Sequence, residues 1–380
     1  MIDLPLRRLK PGMTIAQSVY NSSGANYLTR GMPLTSNYIE KLRQLGIQNI
    51  HVLSTSTNRS FLPPEDVLEE KTRAMAVKRV YDVFQQVRSR GTFDINPMAK
   101  ASASIVNDIM ERRNNLVQLT DIRSHDMYTF AHCVNVAMLS TIMGVLCGFE
   151  NDKLSELTLS ALLHDLGKIS IPLEVLNKQG RLTDEEFAVI KNHPVAGYEH
   201  IQRMNLPNGE LLSVVARQHH EKMDGTGYPD HRKGPSIHIY GRIGAIADVY
   251  DALTSTRPYK KAYSPSVAYN IMARCSPGHF DEELLKIFFS NVAIYPIGTV
   301  LLTNRGYAIV SKVEFGKTER PVIRVFANKT PALLPSVYDI DLSADQETKI
   351  ENVISDTELF HFIHQIHFDP ADLLSEGENL

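Results

Sequence analysis

The feature that most constrains this chain is a polar break inside one of its own apolar helices. Residues 159–168 read LSALLHDLGK, a hydrophobic helical stretch interrupted by the adjacent pair His164–Asp165. Burying a carboxylate costs several kcal/mol unless something compensates it, so the pair must meet other polar groups inside the fold. An ordinary His–Asp hydrogen bond would satisfy one isolated pair, but this pair has company. Tyr128-Thr-Phe-Ala-His132 lies on a helix upstream, and His193-Pro194 opens a helix downstream. Gln218-His219-His220-Glu221 then leads into the turn Asp224-Gly-Thr-Gly-Tyr-Pro229. Finally Ala247-Asp248-Val-Tyr-Asp251 sits in an apolar helix, with Arg257-Pro-Tyr-Lys260-Lys261 just beyond it.

Five histidines and two or three carboxylates at helix ends form an oxygen and nitrogen ligand set for two metal ions. The set includes no thiolate, so it suits iron, manganese or another first-row ion better than a structural zinc. Asp165 is the natural bridge, because one carboxylate oxygen can face each ion. Two ions about 3.5–4 Å apart activate a shared hydroxide and stabilise phosphoryl oxygens during in-line displacement. That chemistry suits an anionic phosphodiester with a poor leaving group.

The 380 residues leave room for two or three domains, and a net charge of −3 argues against bulk electrostatic binding to a nucleic acid polymer. Charge is uneven along the chain. Residues 1–60 hold seven Lys/Arg against Asp3 and Glu40, while Lys349 is the only Lys or Arg of residues 341–380. The two ends read as solvated faces, or as surfaces that attract each other or separate partners. Cys133, Cys147 and Cys275 are scattered, which fits a reducing cytoplasm and neither a disulfide framework nor a zinc knuckle. The start, MIDLPLRRLKPG, lacks the order of a signal peptide. The apolar run 133–149 is shorter than the ~20 residues of a membrane span, contains Asn135 and follows His132 directly. It is expected as a core helix, with no membrane span.

Residues 1–60 read as a small α+β domain, with short apolar stretches at 14–20 and 49–53, a turn at 22–24, and a helix from Asn37 that ends before Gly46. Residues 61–119 read as linker helices, preceded by a polar connection over 54–64. Val77, Val80, Tyr81, Phe84 and Val87 form a stripe that suits a homodimer seam or packing onto the next domain. Residues 120–290 are mostly helical. Residues 291–380 form a β-rich extension with an acidic tail, and β-branched runs at 295–302, 307–313 and 321–326 predict strands. His361, His364 and His367 recur every three residues, which spreads them around a helix and favours a plain surface face.

HDLGK, HHEKMDGTGYP and ADVYDALTSTRPYKK together resemble the HD-GYP family, a bacterial branch of the HD phosphohydrolases, over about residues 120–290. The resemblance implies a mainly α fold: a helical HD-domain bundle between the small N-terminal domain and the β-rich appendage. It also implies hydrolysis of cyclic di-GMP or 3′,3′-cyclic GMP-AMP to a linear dinucleotide, and two divalent metal ions, iron or manganese. Carried over residue by residue, His132, His164, Asp165 and Asp248 hold one ion, and Asp165, His193, His219 and His220 hold the second. Lys168 matches a lysine that assists at the bridging hydroxide or phosphate, and Arg257 and Lys260 match residues that grip substrate phosphates. Gly227-Tyr228-Pro229 resembles a docking surface for diguanylate cyclase domains. Some members place a Glu four residues before the first ligand histidine and assemble a third metal; Tyr128 stands there here, which implies a two-metal centre. Residues 1–60, with LKPGM and LGIQNIHVL, resemble a small domain that often precedes this family. The rival readings are a weakly active signalling adaptor that binds a cyclase through Gly227–Pro229, and an HD hydrolase of mononucleotides or alarmones.

Overall fold

The computed structural model describes residues 2–16, 19–20, 26–44, 47, 49–52, 67–113, 128–176, 178, 180–255, 262–330 and 332–374. The expected turn at 22–24, Gly46, the polar connection at 54–64 and the end of the linker helices beyond 113 lie outside the described residues. The first part holds β1 (Ile2–Pro5), β2 (Val19–Tyr20), β3 (Asn26–Leu28), α1 (Ser36–Gln44) and β4 (Asn49–Val52). There β1 pairs antiparallel with β4, and β2 with β3.

A helical body follows: α2 (Glu70–Arg90), α3 (Asn96–Glu111), α4 (Tyr128–Leu146), α5 (Asn151–Leu162), α6 (Leu173–Leu176), α7 (Asp184–Lys191) and α8 (His193–Gln202). It continues with α9 (Gly209–Gln218), α10 (Ile239–Thr254), α11 (Pro265–His279) and α12 (Glu282–Asn291). The helix α4 is at its centre, because a helix apolar on every side can only be satisfied when it is surrounded. Val134, Val136, Ala137, Ile142 and Met143 are fully buried. Thr129–Leu146 is long and apolar enough to cross a membrane by length and composition, and 72% of that window is buried inside the protein. Helix α7 begins at a capping box, in which Thr183 Oγ1 accepts from Glu186 N and the Glu186 carboxylate accepts from Thr183 N. The apolar stripe of α2 is taken up within the chain: Val80, Val83, Phe84 and Val87 are buried, and the Tyr81 and Phe84 rings meet Phe130 of α4 edge-on at 5.3 and 5.2 Å.

The last part is a five-stranded antiparallel sheet, β5 (Val300–Thr303), β6 (Gly306–Lys312), β7 (Val322–Ala327), β8 (Leu333–Asp341) and β9 (Ile350–Val353), in the order β8-β7-β6-β5-β9, followed by α13 (Asp356–Ile366). The first three strands overlap the runs expected from sequence, each reaching one residue beyond its run. The edge strand β8 does not, because its residues face solvent on both sides and carry no alternation; Pro335 is tolerated there because an edge leaves one row of N–H groups unpaired. One face of the sheet buries Leu301, Ala308, Val310, Ile323 and Val325. The other face shares a core with the start of the chain, where Leu4, Ile15, Leu28 and Leu42 pack with Val300, Ile309, Phe326 and Phe362. The two ends of the chain therefore meet, and Arg8 lies 5.3 Å over the Phe360 ring. His361, His364 and His367 are exposed, as expected of a surface helix.

Phe326 is 1% exposed in this shared core. Phe326→Ala is expected to cost about 3–5 kcal/mol of local stability. Limited proteolysis in urea should then cleave the first part and the sheet together; release of the sheet while residues 2–52 stay protected would contradict the shared core.

Candidate metal centre

Five parts of the helical body deliver the polar side chains that the apolar helices carry. His132 comes from α4, and His164, Asp165 and Lys168 from the end of α5 and the 3₁₀ turn after it. His193 is the first residue of α8, with Pro194 set in the first turn where its missing N–H costs nothing. His219 and His220 follow the end of α9, and Asp248 and Asp251 lie on α10. The turn after Asp165 presses against the start of α8. A Cβ on Gly167 would stand 1.9 Å from the carbonyl oxygen of His193 and 2.5 Å from the nitrogen of Gly197. Only glycine lets the HDLG turn and His193 approach this closely.

Asp165 is fully buried at the middle of the cluster. Its Oδ2 lies 3.8 Å from His132 Nε2 and 3.3 Å from His164 Nε2. Its Oδ1 lies 3.5 Å from His193 Nε2 and 3.9 Å from His219 Nε2. Asp248 Oδ1 is 3.0 Å from His132 Nε2, and Lys168 Nζ donates to Asp165 Oδ2 at 2.5 Å. His132, His164 and Asp165 form one group able to hold a cation; His193, His219 and His220 form another.

Four of the imidazoles are aimed by their other nitrogen. Nδ1 donates from His132 to Asp251 Oδ2 at 2.6 Å, from His164 to the Ala161 carbonyl at 2.8 Å, from His193 to the Ile190 carbonyl at 2.7 Å, and from His219 to the Val215 carbonyl at 2.8 Å. Each acceptor fixes the tautomer and turns Nε2 toward Asp165, the arrangement that metal-ligating histidines adopt. Two atoms stand out. Among the described residues, the buried His164 Nε2 and Asp165 Oδ1 have no hydrogen-bond partner. Orphaned buried polar atoms are costly, and a cation beside each would satisfy both.

The electrostatics agree. Burial pushes His193 down to about 4 and His220 down to about 3, and burial with His220 alongside pushes His219 well below the usual histidine range. These rings are neutral, the form that binds metal. Burial works against charging His132, yet the carboxylates of Asp248 and Asp251 raise it to about 9. Burial would raise Asp165, but Lys168 and His164 hold it well below the usual carboxylate range. His132 outweighs burial in the same way at Asp248.

The loop containing Gly227, Tyr228 and Pro229 folds back onto the histidines. A Cβ on Gly227 would stand 2.4 Å from Lys222 N and 2.5 Å from the His220 carbonyl oxygen. Tyr228 N donates to that carbonyl at 3.1 Å, and the half-buried Tyr228 ring stacks on His220 with centroids 4.7 Å apart. Glu221, which follows His220 in the chain, faces the loop. Its carboxylate accepts from the backbone N–H groups of Asp230 at 2.7 Å and Arg232 at 3.0 Å, because the loop returns directly over it. Arg217 closes the same loop through a two-pronged ion pair with Asp230.

Of the residues singled out from sequence, His132, His164, Asp165, Lys168, His193, His219, His220 and Asp248 converge, with Gly227–Pro229 beside them. Arg257 and Lys260 lie outside the described residues. Tyr128 opens α4 one turn before His132. Sequence reasoning missed Arg73 and the role of Asn135. Arg73 sits in the buried stripe of α2 with Ala76, Val80, Val83 and Val87, and a basic residue in such a stripe is the signal that could have found it.

Residues 102–284 match the family described as HD domain. The cyclic di-GMP phosphodiesterase PA4108 of Pseudomonas aeruginosa is 33% identical over 274 residues, covering 70% of this chain and 65% of that protein. A cyclic di-GMP phosphodiesterase of Vibrio cholerae is 46% identical over 136 residues, 34% of this chain and 28% of its own length. The 3′3′-cGAMP-specific phosphodiesterase 2 of Vibrio cholerae is 33% identical over 177 residues, 47% of this chain and 34% of its own. The matches thus span from 28% to 65% of the length of these relatives. Among solved structures, Bd1817, an HDG"Y"P protein from Bdellovibrio bacteriovorus, shares the fold with a TM-score of 0.51 at 19% identity, over 76% of this chain and 97% of that one. Residues 102–284 of this chain thus match an HD domain, and the motifs around the site resemble those of the HD-GYP family.

Proposed function

We propose that the chain is a metal-dependent phosphodiesterase that hydrolyses cyclic di-GMP or 3′,3′-cyclic GMP-AMP to a linear dinucleotide. The observation that carries this reading is the division of labour at Asp165. One of its oxygens faces His132 and His164, and the other faces His193 and His219. A single buried carboxylate between two histidine sets fits two divalent cations, and the orphaned His164 Nε2 and Asp165 Oδ1 fit the same assignment. His132, His164, Asp165 and Asp248 would hold one ion; Asp165, His193, His219 and His220 would hold the other. The donors are oxygen and nitrogen throughout, which favours iron or manganese.

When bound, such a pair supplies Lewis acidity at the phosphoryl group and an activated water. The chain does the rest. Asp251 and the backbone carbonyls of Ala161, Ile190 and Val215 hold the imidazoles in place. Lys168 keeps a positive charge against Asp165, and that ammonium stays protonated because the carboxylate outweighs burial. It is placed to help orient the attacking water or a phosphate oxygen. Arg257 and Lys260, just past the end of α10, would neutralise the substrate phosphates. The Tyr228 ring covers one face of His220 and limits solvent there. The names of the relatives support the substrate class.

Three outcomes are expected. His164→Ala and Asp165→Asn should lose both metal loading and turnover, checked by metal analysis of anaerobically purified protein and product identification on cyclic di-GMP and cyclic GMP-AMP. Turnover by a metal-free Asp165→Asn protein would sink the mechanism, and dinucleotide binding without turnover by loaded wild type would make the chain an adaptor. Lys168→Met should keep its metal while kcat/KM falls by about 10²–10³-fold, the range for one lost charge-stabilising group. Chelation should lower the melting temperature, and manganese at about 100 times its Kd should restore about 2.7 kcal/mol; a melting temperature indifferent to both would count against the centre.

A further inference from the structure

Arg73 lies on α2, outside the matched residues 102–284, and is 3% exposed. Its Nη1 donates to Asn135 Oδ1 at 2.9 Å, and its Nη2 lies 3.4 Å from Met138 Sδ. A guanidinium can only donate, so the Asn135 amide is held with its oxygen toward Arg73 and its NH₂ pointing away. That NH₂ donates to Asp251 Oδ1 at 2.8 Å, where Ser255 Oγ also donates at 2.8 Å. Asp251 Oδ2 is thereby left to accept from His132 Nδ1. Each link admits one direction only, and the series runs unbroken from α2 to His132.

We infer that Arg73 is a positioning residue for the metal centre, acting through Asn135 and Asp251 to set the tautomer and ring orientation of His132. The inference rests on the reading of His132 as a ligand. Packing within its stripe does not call for an arginine here, because its neighbours there are apolar. What an aliphatic side chain cannot do is hold the amide of Asn135. Without that grip the amide can turn its oxygen toward Asp251, and two acceptors would then face each other. The effect should fall on the half of the centre built on His132 and spare the half built on His193, His219 and His220.

The test is a calorimetric Mn²⁺ titration of the metal-stripped full-length chain under anaerobic conditions. Wild type should bind in two steps. Arg73→Met should weaken one step by about 10–100-fold, the usual loss when the support of a ligand histidine is removed, and leave the other unchanged. Arg73→Lys, which restores a donor to Asn135, should recover part of the loss. Asn135→Leu, which leaves Arg73 in place, should show the same one-step defect. Wild-type affinity at both steps in Arg73→Met overturns the inference. So does an unweakened Asn135→Leu protein, whatever Arg73→Met does, including failing to fold. If wild type binds no Mn²⁺ at either step, it is the reading of the centre itself that fails.

Discussion

The carboxylate of Asp165 is entirely inside the protein, and the arrangement of the helical body can be understood as the means of tolerating it. A lone buried carboxylate would take up a proton. Here Lys168 and His164 keep it ionised, and both oxygens stay available to cations. The requirement reaches outward by stages. The histidines must present Nε2 inward, so their Nδ1 atoms need acceptors, and helix-end carbonyls and Asp251 provide them. Those helix ends must come close together, so Gly167 stands where any side chain would collide with α8. The centre is thus imposed on the packing, not added to a finished fold.

Much of this is legible in the sequence because polar residues forced into apolar helices betray themselves locally. His164, Asp165 and Asp248 interrupt hydrophobic stretches, His193 opens a helix beside Pro194, and His219–His220 follow a helix end. Roles that depend on which elements become neighbours are not legible in this way. Glu221 adjoins two histidines in the chain, yet its partners are backbone groups nine and eleven residues ahead, brought over it by the returning loop. Asn135 reads only as an argument against a membrane span, and its meaning emerges when α2 and α10 are seen on either side of α4.

The same distinction explains the ends of the chain. Three strands announce themselves by β-branched runs that bury side chains on both faces. The edge strand β8 offers no such contrast, and β9 is short and half-exposed. That residues 2–52 and the C-terminal sheet share a core is invisible in either segment alone, because each shows only a partly apolar surface in need of a cover. The opposite charge of the two ends was a weak pointer to their meeting, and the contact itself is largely hydrophobic.

The shared core gives the chain an unusual path: it leaves the small unit before α2, builds the whole helical body, and returns to the same unit after α12. The helical body is therefore held at two points instead of hanging from one. Two crossings restrict a relative rotation that a single one would leave free. One of those crossings feeds directly into the helix that carries Arg73. In chain order the small unit thus adjoins the helix whose Arg73 reaches His132 through Asn135 and Asp251.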